Sequence, residues 1–87
     1  MAKRERLDII NDILRVVNTV GEVRPTPLMR KSNLSPQMFK EYVEELVSKG
    51  FITEHEEDHT YYTINRKGLE FLAEYRRIQD FIKDFGL

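Results

Sequence analysis

The chain has 87 residues, of which 40% are apolar and 33% are charged, and its formal net charge is -1. This composition excludes a disordered chain, and no apolar run is long enough for a membrane-spanning helix. The sequence contains no cysteine, which excludes a disulfide framework and a thiol nucleophile and predicts a cytoplasmic protein. A chain of this size has little room for an enclosed active site. We therefore expect a binding module rather than an enzyme, with no cofactor and no small-molecule substrate.

The charges are distributed unevenly along the chain. Residues 1–35 include seven basic and four acidic side chains, residues 36–64 include two basic and seven acidic, and residues 65–87 include five basic and four acidic. A nucleic-acid-binding protein usually gathers lysine and arginine on one face. Here the basic residues lie toward the two ends, so the acidic middle argues against a simple model in which that segment grips DNA.

The first predicted helix spans residues 4–20, and Gly21 is well placed to end it. Its apolar residues form two rows with helical spacing, the first being Leu7, Ile10, Leu14 and Val17 and the second Ile9, Ile13, Val16 and Val20. Two apolar rows predict two partners for this helix, namely the domain's own core and a second surface.

The next segment predicts a helix-turn-helix. Thr26-Pro27 has the residue types of an N-cap and a first helical position, and Asn33 tolerates the left-handed backbone that stops a short helix. Ser35-Pro36 repeats the start signal for a third helix over residues 36–49, which Gly50 ends. Two capped helices joined by so short a link are typical of this motif.

After Gly50 the pattern changes from helix to strand. Residues 51–55 and 59–64 are rich in β-branched and aromatic side chains, and the acidic residues 56–58 between them predict the tip of a β-hairpin. Tyr61 and Tyr62 point to opposite faces of the second strand, so we expect one of them in the core.

A long last helix is predicted from Arg66 to about Phe85, with Asn65 as its cap. Its apolar residues follow the four-and-three spacing of a heptad seam: Phe71, Tyr75, Ile78, Ile82 and Phe85. At ~1.5 Å per residue the helix is roughly 30 Å long, which is more than a small domain needs. We therefore divide the chain into a domain of residues 1–68 and a dimerisation helix of residues 69–87. This helix is expected to pack against a second copy of itself, assisted by the second apolar row of the first helix.

The predicted order α-α-α-β-β-α, mainly helical with a two-stranded hairpin, is that of a winged helix-turn-helix. The pattern Leu34-Ser35-x-x-x-Phe39-x-x-Tyr42-Val43-x-x-Leu46-x-x-Lys49-Gly50 resembles the recognition-helix-to-wing segment of prokaryotic winged-helix regulators, and residues 61–72 resemble their wing-to-last-helix junction. The chain is most similar to small archaeal winged-helix DNA-binding proteins, typified by the ten-kilodalton dimeric proteins of Sulfolobus. The resemblance implies DNA binding and a homodimer joined by a C-terminal antiparallel coiled-coil helix. The family wing usually turns on Asp-Gly, so Asp58-His59 in this sequence implies a histidine that accepts left-handed geometry.

Candidate DNA contacts follow from this fold, in which the start of the third helix enters the major groove. The outward residues expected to read bases are Gln37, Lys40, Glu41 and Glu44. The residues expected to contact the DNA backbone are Arg30 and Lys31 after the second helix, Arg66 and Lys67 at the start of the last, and Lys3 and Arg4 on an N-terminal arm. For each residue the alternative is an ordinary solvated side chain.

The string His55-Glu56-Glu57-Asp58-His59 matches the zinc-protease pattern H-E-x-x-H. That chemistry requires both histidines on one face of a helix, a third ligand and a cleft. The flanking segments here are strands, so we expect neither a metal site nor peptidase activity. Two imidazoles facing each other across a hairpin and holding a metal loosely remain the alternative.

Two functions follow from the sequence. The first is a homodimeric winged-helix DNA-binding protein, acting as an archaeal transcriptional regulator or nucleoid-associated factor. The alternative is a protein-interaction module that uses its acidic third helix and wing to meet a basic partner without binding DNA. The acidic middle segment favours the alternative, whereas the basic ends and the family resemblance favour DNA.

Overall fold

The computed structural model describes residues 4–87 of the chain. Its elements in chain order are α1 (Arg6–Val20), α2 (Pro25–Lys31), α3 (Pro36–Ser48), β1 (Ile52–Glu56), β2 (Thr60–Ile64) and α4 (Arg66–Asp84). This is the predicted order α-α-α-β-β-α, and the fold is a winged helix with a C-terminal helix. Within residues 4–87, none of the helices has the length and apolar character needed to cross a membrane.

Helix α1 lies at the centre of the core. Both of its apolar rows are used there, because Ile9, Ile10, Ile13, Leu14 and Val17 are all buried and α1 contacts α2, β2 and α4. The core partner predicted for α1 is confirmed, and the predicted second surface stays a prediction. Leu7 and Val20 at the ends of the rows are exposed, and Val16 is half-buried.

Helix α2 begins at Pro25, two residues earlier than predicted, with Arg24 at the N-cap. Proline lacks a backbone N–H, which costs no hydrogen bond at the first helical position because an N–H there has no partner within the helix. The rest of the predicted turn is confirmed. Asn33 has a φ of 56°, and the Ser35 hydroxyl accepts a hydrogen bond of 3.2 Å from the Met38 backbone N–H to cap α3.

The hairpin pairs β1 and β2 in an antiparallel register from Ile52 opposite Ile64 to Glu56 opposite Thr60. Val23 forms an isolated bridge to β2, since it exchanges two backbone hydrogen bonds of 3.1 and 2.8 Å with Tyr62. Ile52 and Tyr62 are buried on the inner face of the hairpin. Tyr62 is therefore the tyrosine that enters the core.

The tip of the hairpin does not use the left-handed histidine that the sequence predicted. Among the non-glycine residues in the described range, Asn33 is the one with a positive φ. The chain reverses over the three residues between the strands, where the Glu57 backbone N–H donates to the His59 carbonyl at 3.2 Å. The reversal is thus spread over three residues and needs no positive φ at His59.

The start of α4 is packed closely against the hairpin. Asn65 occupies the N-cap position as predicted, but its side chain makes no capping bond. Its amide instead donates to the Gly50 carbonyl at 3.1 Å and accepts from the Thr53 hydroxyl at 2.7 Å. The first turn of α4 is thereby tied to the end of α3 and to β1.

The remainder of α4 extends away from the domain, which gives the protein a longest dimension of 48 Å. Phe71 packs edge-on against Phe51 of the domain, with ring centroids 6.1 Å apart. Further along the helix the apolar side chains are exposed: Ile78 is 56% exposed, Phe81 62% and Phe85 68%.

Candidate nucleic-acid interface

The outer face of α3 carries the four residues predicted to read bases, which are Gln37, Lys40, Glu41 and Glu44. All four are exposed, on the side of the helix away from the buried residues Val43 and Leu46. The Gln37 amide donates to the Glu41 carboxylate at 3.3 Å, one turn further along the helix. The face therefore offers an amide, an ammonium and two carboxylates, which are the groups that recognise base edges in a major groove.

Another carboxylate of α3, Glu45, is neutralised within the protein. It accepts hydrogen bonds from Arg6 of α1 and from Lys49, the latter at 2.7 Å. The hydrogen bond from Arg6, followed by that from Lys49, lowers the pKa of Glu45 to about 2. Arg6 also lies 5.6 Å from the centre of the Tyr42 ring. The acidity of α3 is thus smaller than its sequence suggests, because this carboxylate has two cationic partners.

Three of the residues predicted to contact the DNA backbone present unpaired cations. Arg30 and Lys31 are exposed in the last turn of α2, and Arg66 is exposed in the first turn of α4. Among residues 4–87, none of the three forms an ion pair or a side-chain hydrogen bond. Their charges are available to phosphates.

Lys67 and Arg4 have structural partners instead. The Lys67 ammonium donates to the Lys49 carbonyl at 2.8 Å and lies 4.7 Å from the Phe51 ring centre, so it caps the end of α3. Arg4 donates to the Asp12 carboxylate at 2.8 Å and to the Ser32 and Asn33 carbonyls at 2.9 and 2.8 Å. These contacts fasten the chain before α1 to the turn that follows α2. Lys3 lies outside the described residues.

Sequence reasoning missed these partners for a common reason. The carbonyls that Lys67 and Arg4 bind lie 18 residues and more along the chain, so no local pattern points to them. Arg24 was also left out of the predicted DNA-backbone contacts. Its side chain is exposed at the N-cap of α2. The sequence signal for this exposed cation was a basic residue immediately before Pro25.

The string that resembles a zinc-protease motif lies on the hairpin. The His55 ring stacks on Tyr61 with centroids 4.6 Å apart and is hydrogen-bonded at 2.9 Å to the Thr63 hydroxyl. Tyr61 in turn donates to the Glu57 carboxylate, and this bond, followed by burial, raises the pKa of Tyr61 to about 12. Within residues 4–87, no three His, Asp or Glu side chains come together to hold a metal ion. The outer face of the hairpin is a polar and aromatic surface.

The predicted heptad seam of α4 is divided between two roles. Phe71 and Tyr75 are half-buried near the domain, with their rings stacked 5.8 Å apart, whereas Ile78, Ile82 and Phe85 are exposed. Phe81 was not part of the predicted seam, yet it is exposed and its ring lies 4.9 Å from that of Phe85. The outer half of α4 thus presents an apolar surface wider than the heptad pattern indicated.

A family model for the winged helix-turn-helix matches residues 3–83 of the chain. Because this match spans nearly the whole sequence, the chain belongs to the winged helix-turn-helix family. No curated protein matches the sequence significantly.

Solved structures share this fold. The chain is similar to Sso10a-2, a DNA-binding protein from Sulfolobus solfataricus, with a TM-score of 0.79 and 22% identity over 94% of this chain and 85% of that one. The predicted resemblance to the Sulfolobus proteins is confirmed. The chain is also similar to the transcriptional regulator Tm0710 from Thermotoga maritima, with a TM-score of 0.71 and 24% identity over 88% of this chain and 57% of that one. A MarR family transcriptional regulator from Silicibacter pomeroyi gives a TM-score of 0.71 and 24% identity over 90% and 52%. The chain spans little more than half the length of these two regulators.

Proposed function

We propose that this protein is a homodimeric winged-helix transcriptional regulator or nucleoid-associated factor of archaeal type, which binds double-stranded DNA in the cytoplasm and is not an enzyme. The observation that carries the proposal is the exposed polar face of α3, held at a fixed angle by the capped turn after α2. Support also comes from the fold shared with Sso10a-2, a DNA-binding protein, over most of both chains.

Base recognition is assigned to the first half of α3. In this proposal Gln37 pairs with adenine and Lys40 with guanine, while Glu41 or Glu44 accepts from the cytosine amino group. Because carboxylates facing a polyanion oppose binding, we expect modest affinity and a requirement for the cations around the helix.

Backbone contacts are assigned to Arg30, Lys31 and Arg66, whose charges are unpaired within the described residues. The first two lie in the last turn of α2, before the turn that leads to α3, and the third lies where the wing meets α4. Lys67 and Arg4 are assigned to holding these elements together, so their removal would affect DNA binding through the fold.

The dimer is assigned to the outer half of α4. A helix with exposed Ile78, Phe81 and Phe85 has an apolar surface that water disfavours. Packing this apolar surface against the same surface of a second copy removes both from water. The resulting dimer presents two α3 helices to one DNA duplex.

The proposal is tested by fluorescence anisotropy, with a labelled duplex several turns long titrated with wild-type protein over a series of salt concentrations. We expect binding at low salt that weakens steadily as salt rises, because phosphate contacts release counterions. Lys31→Ala should weaken binding and lower the salt slope by about one unit. Lys83→Ala, an equal charge change at the far end of α4, should do neither. A wild-type protein that leaves the duplex free at low salt would overturn the proposal.

A further inference from the structure

A groove of about 450 Å³ runs between α3 and the hairpin. Its floor is apolar and aromatic, formed by Phe39, Val43 and Val47 of α3 and by Tyr62 of β2. Phe39 and Tyr62 meet edge to face with ring centroids 6.4 Å apart, so the floor is continuous between the two elements. An open apolar groove of this kind accepts the stems of long side chains.

The rim of this groove is acidic on both sides. Glu44 of α3 and Glu54 of β1 line it, both are exposed, and neither forms an ion pair within the described residues. Burial, followed by the negative charge of Glu54, raises the pKa of Tyr62 to about 12, so that hydroxyl stays neutral beside the carboxylate. Within residues 4–87, Lys40 is the one cation that lines the groove.

These features match a cationic partner. An apolar floor between two carboxylates repels phosphates, whereas an arginine combines an aliphatic stem with a charged fork that pairs with carboxylates. Glu56, two residues beyond Glu54 on the same face of β1, adds a negative charge that also acts on Tyr62.

We propose that the groove between α3 and the hairpin binds a basic segment of a partner protein, with an arginine side chain between Glu44 and Glu54 and its stem on Phe39 and Val47. Lys40 and Glu44 also belong to the face assigned to DNA. Binding of the segment is therefore incompatible with DNA binding, and such a partner would remove the regulator from its site.

The probe for this proposal is a fluorescein-labelled peptide in which arginine alternates with leucine, titrated with full-length protein in the absence of DNA. The double variant Glu44→Gln/Glu54→Gln should weaken binding by at least about tenfold. The matched control Glu22→Gln/Glu70→Gln removes the same charge from exposed sites elsewhere and should change affinity by less than about twofold. Lys40→Ala should strengthen peptide binding, since it removes the repelling cation. A peptide with serine in place of leucine should bind more weakly than the leucine peptide.

Two outcomes would overturn the proposal. Equal losses in the groove and control variants would show that the peptide senses only total charge. A groove variant that binds the peptide as the wild type does, but binds duplex DNA more tightly, would show that the groove faces DNA instead. Thermal melts followed by circular dichroism confirm that each variant is folded before the titrations are compared.

Discussion

Arg6 in the first turn of α1 donates a hydrogen bond to the Glu45 carboxylate of α3, 39 residues further along the chain. Lys49 binds the same carboxylate from the end of α3 at 2.7 Å. The contact joins the central helix of the core to the helix assigned to DNA at the surface, whereas the packing of α3 depends on its buried residues Val43 and Leu46.

This contact predicts acid sensitivity. The pKa of Glu45 is lowered from 4.5 to about 2 in the folded protein. A lowered folded pKa stabilises the protein above pH 4.5, and this contribution is lost as pH falls from 4.5 toward 2. Glu45→Gln should therefore melt at a lower temperature than the wild type at pH 7, and the difference should shrink below pH 4. Glu41→Gln, on the same helix but bound by the neutral amide of Gln37, should show a smaller effect. A melting difference that stays constant from pH 7 to pH 2 would contradict this account.

Gly68 is predicted to be required for the junction between the hairpin and α4. A Cβ at this position would lie 2.6 Å from the Phe51 carbonyl oxygen and 2.7 Å from Cγ1 of Ile64. Gly→Ala in an open helix normally stabilises by about 0.5–1 kcal/mol, but the clash here should make Gly68→Ala destabilising by about 1–3 kcal/mol. Urea unfolding measures the difference, with Glu70→Ala at an exposed position of the same helix as control. A more stable Gly68→Ala variant would show that α4 does not approach the hairpin so closely.

Dimerisation is predicted to depend on the outer half of α4. Ile78 is 56% exposed in the protomer, so Ile78→Asp should leave the domain folded while placing a charge in the dimer contact. We expect sedimentation velocity to give a dimer for the wild type and a monomer for this variant, with unchanged helical circular dichroism. Arg76→Asp puts the same carboxylate at an exposed position on the opposite side of α4 and should remain dimeric. A wild-type monomer at micromolar concentration would refute the assignment.

Most of the fold was predictable because the signals that define it are local. The helical periodicity, the Ser35 cap and the left-handed residues Asn33 and Gly50 each depend on residues only a few positions away. In the structure Ser35 caps α3, and Asn33 and Gly50 have positive φ angles. The start of α2 was misplaced because Pro25 and Pro27 both suit a first helical turn. In the structure Arg24 is the N-cap with an extended backbone, so the helix begins at Pro25.

The candidate site was less predictable because it depends on distant partners. Nothing in the sequence indicates that Lys67 caps α3 or that Glu45 meets Arg6, since these contacts exist only once the helices are packed. The same holds for the second row of α1, whose periodicity shows that Ile9 and Ile13 are covered but does not show by what.

The central claim is that α3 faces DNA, and Lys40 tests it most directly. We predict that Lys40→Ala weakens binding to duplex DNA several-fold at low salt and lowers the salt slope, since an exposed ammonium on this face attracts the polyanion. The equal charge change Lys83→Ala should leave both unchanged. Identical DNA affinity and salt slope for wild type and Lys40→Ala, with wild-type binding present, would show that α3 does not face the DNA.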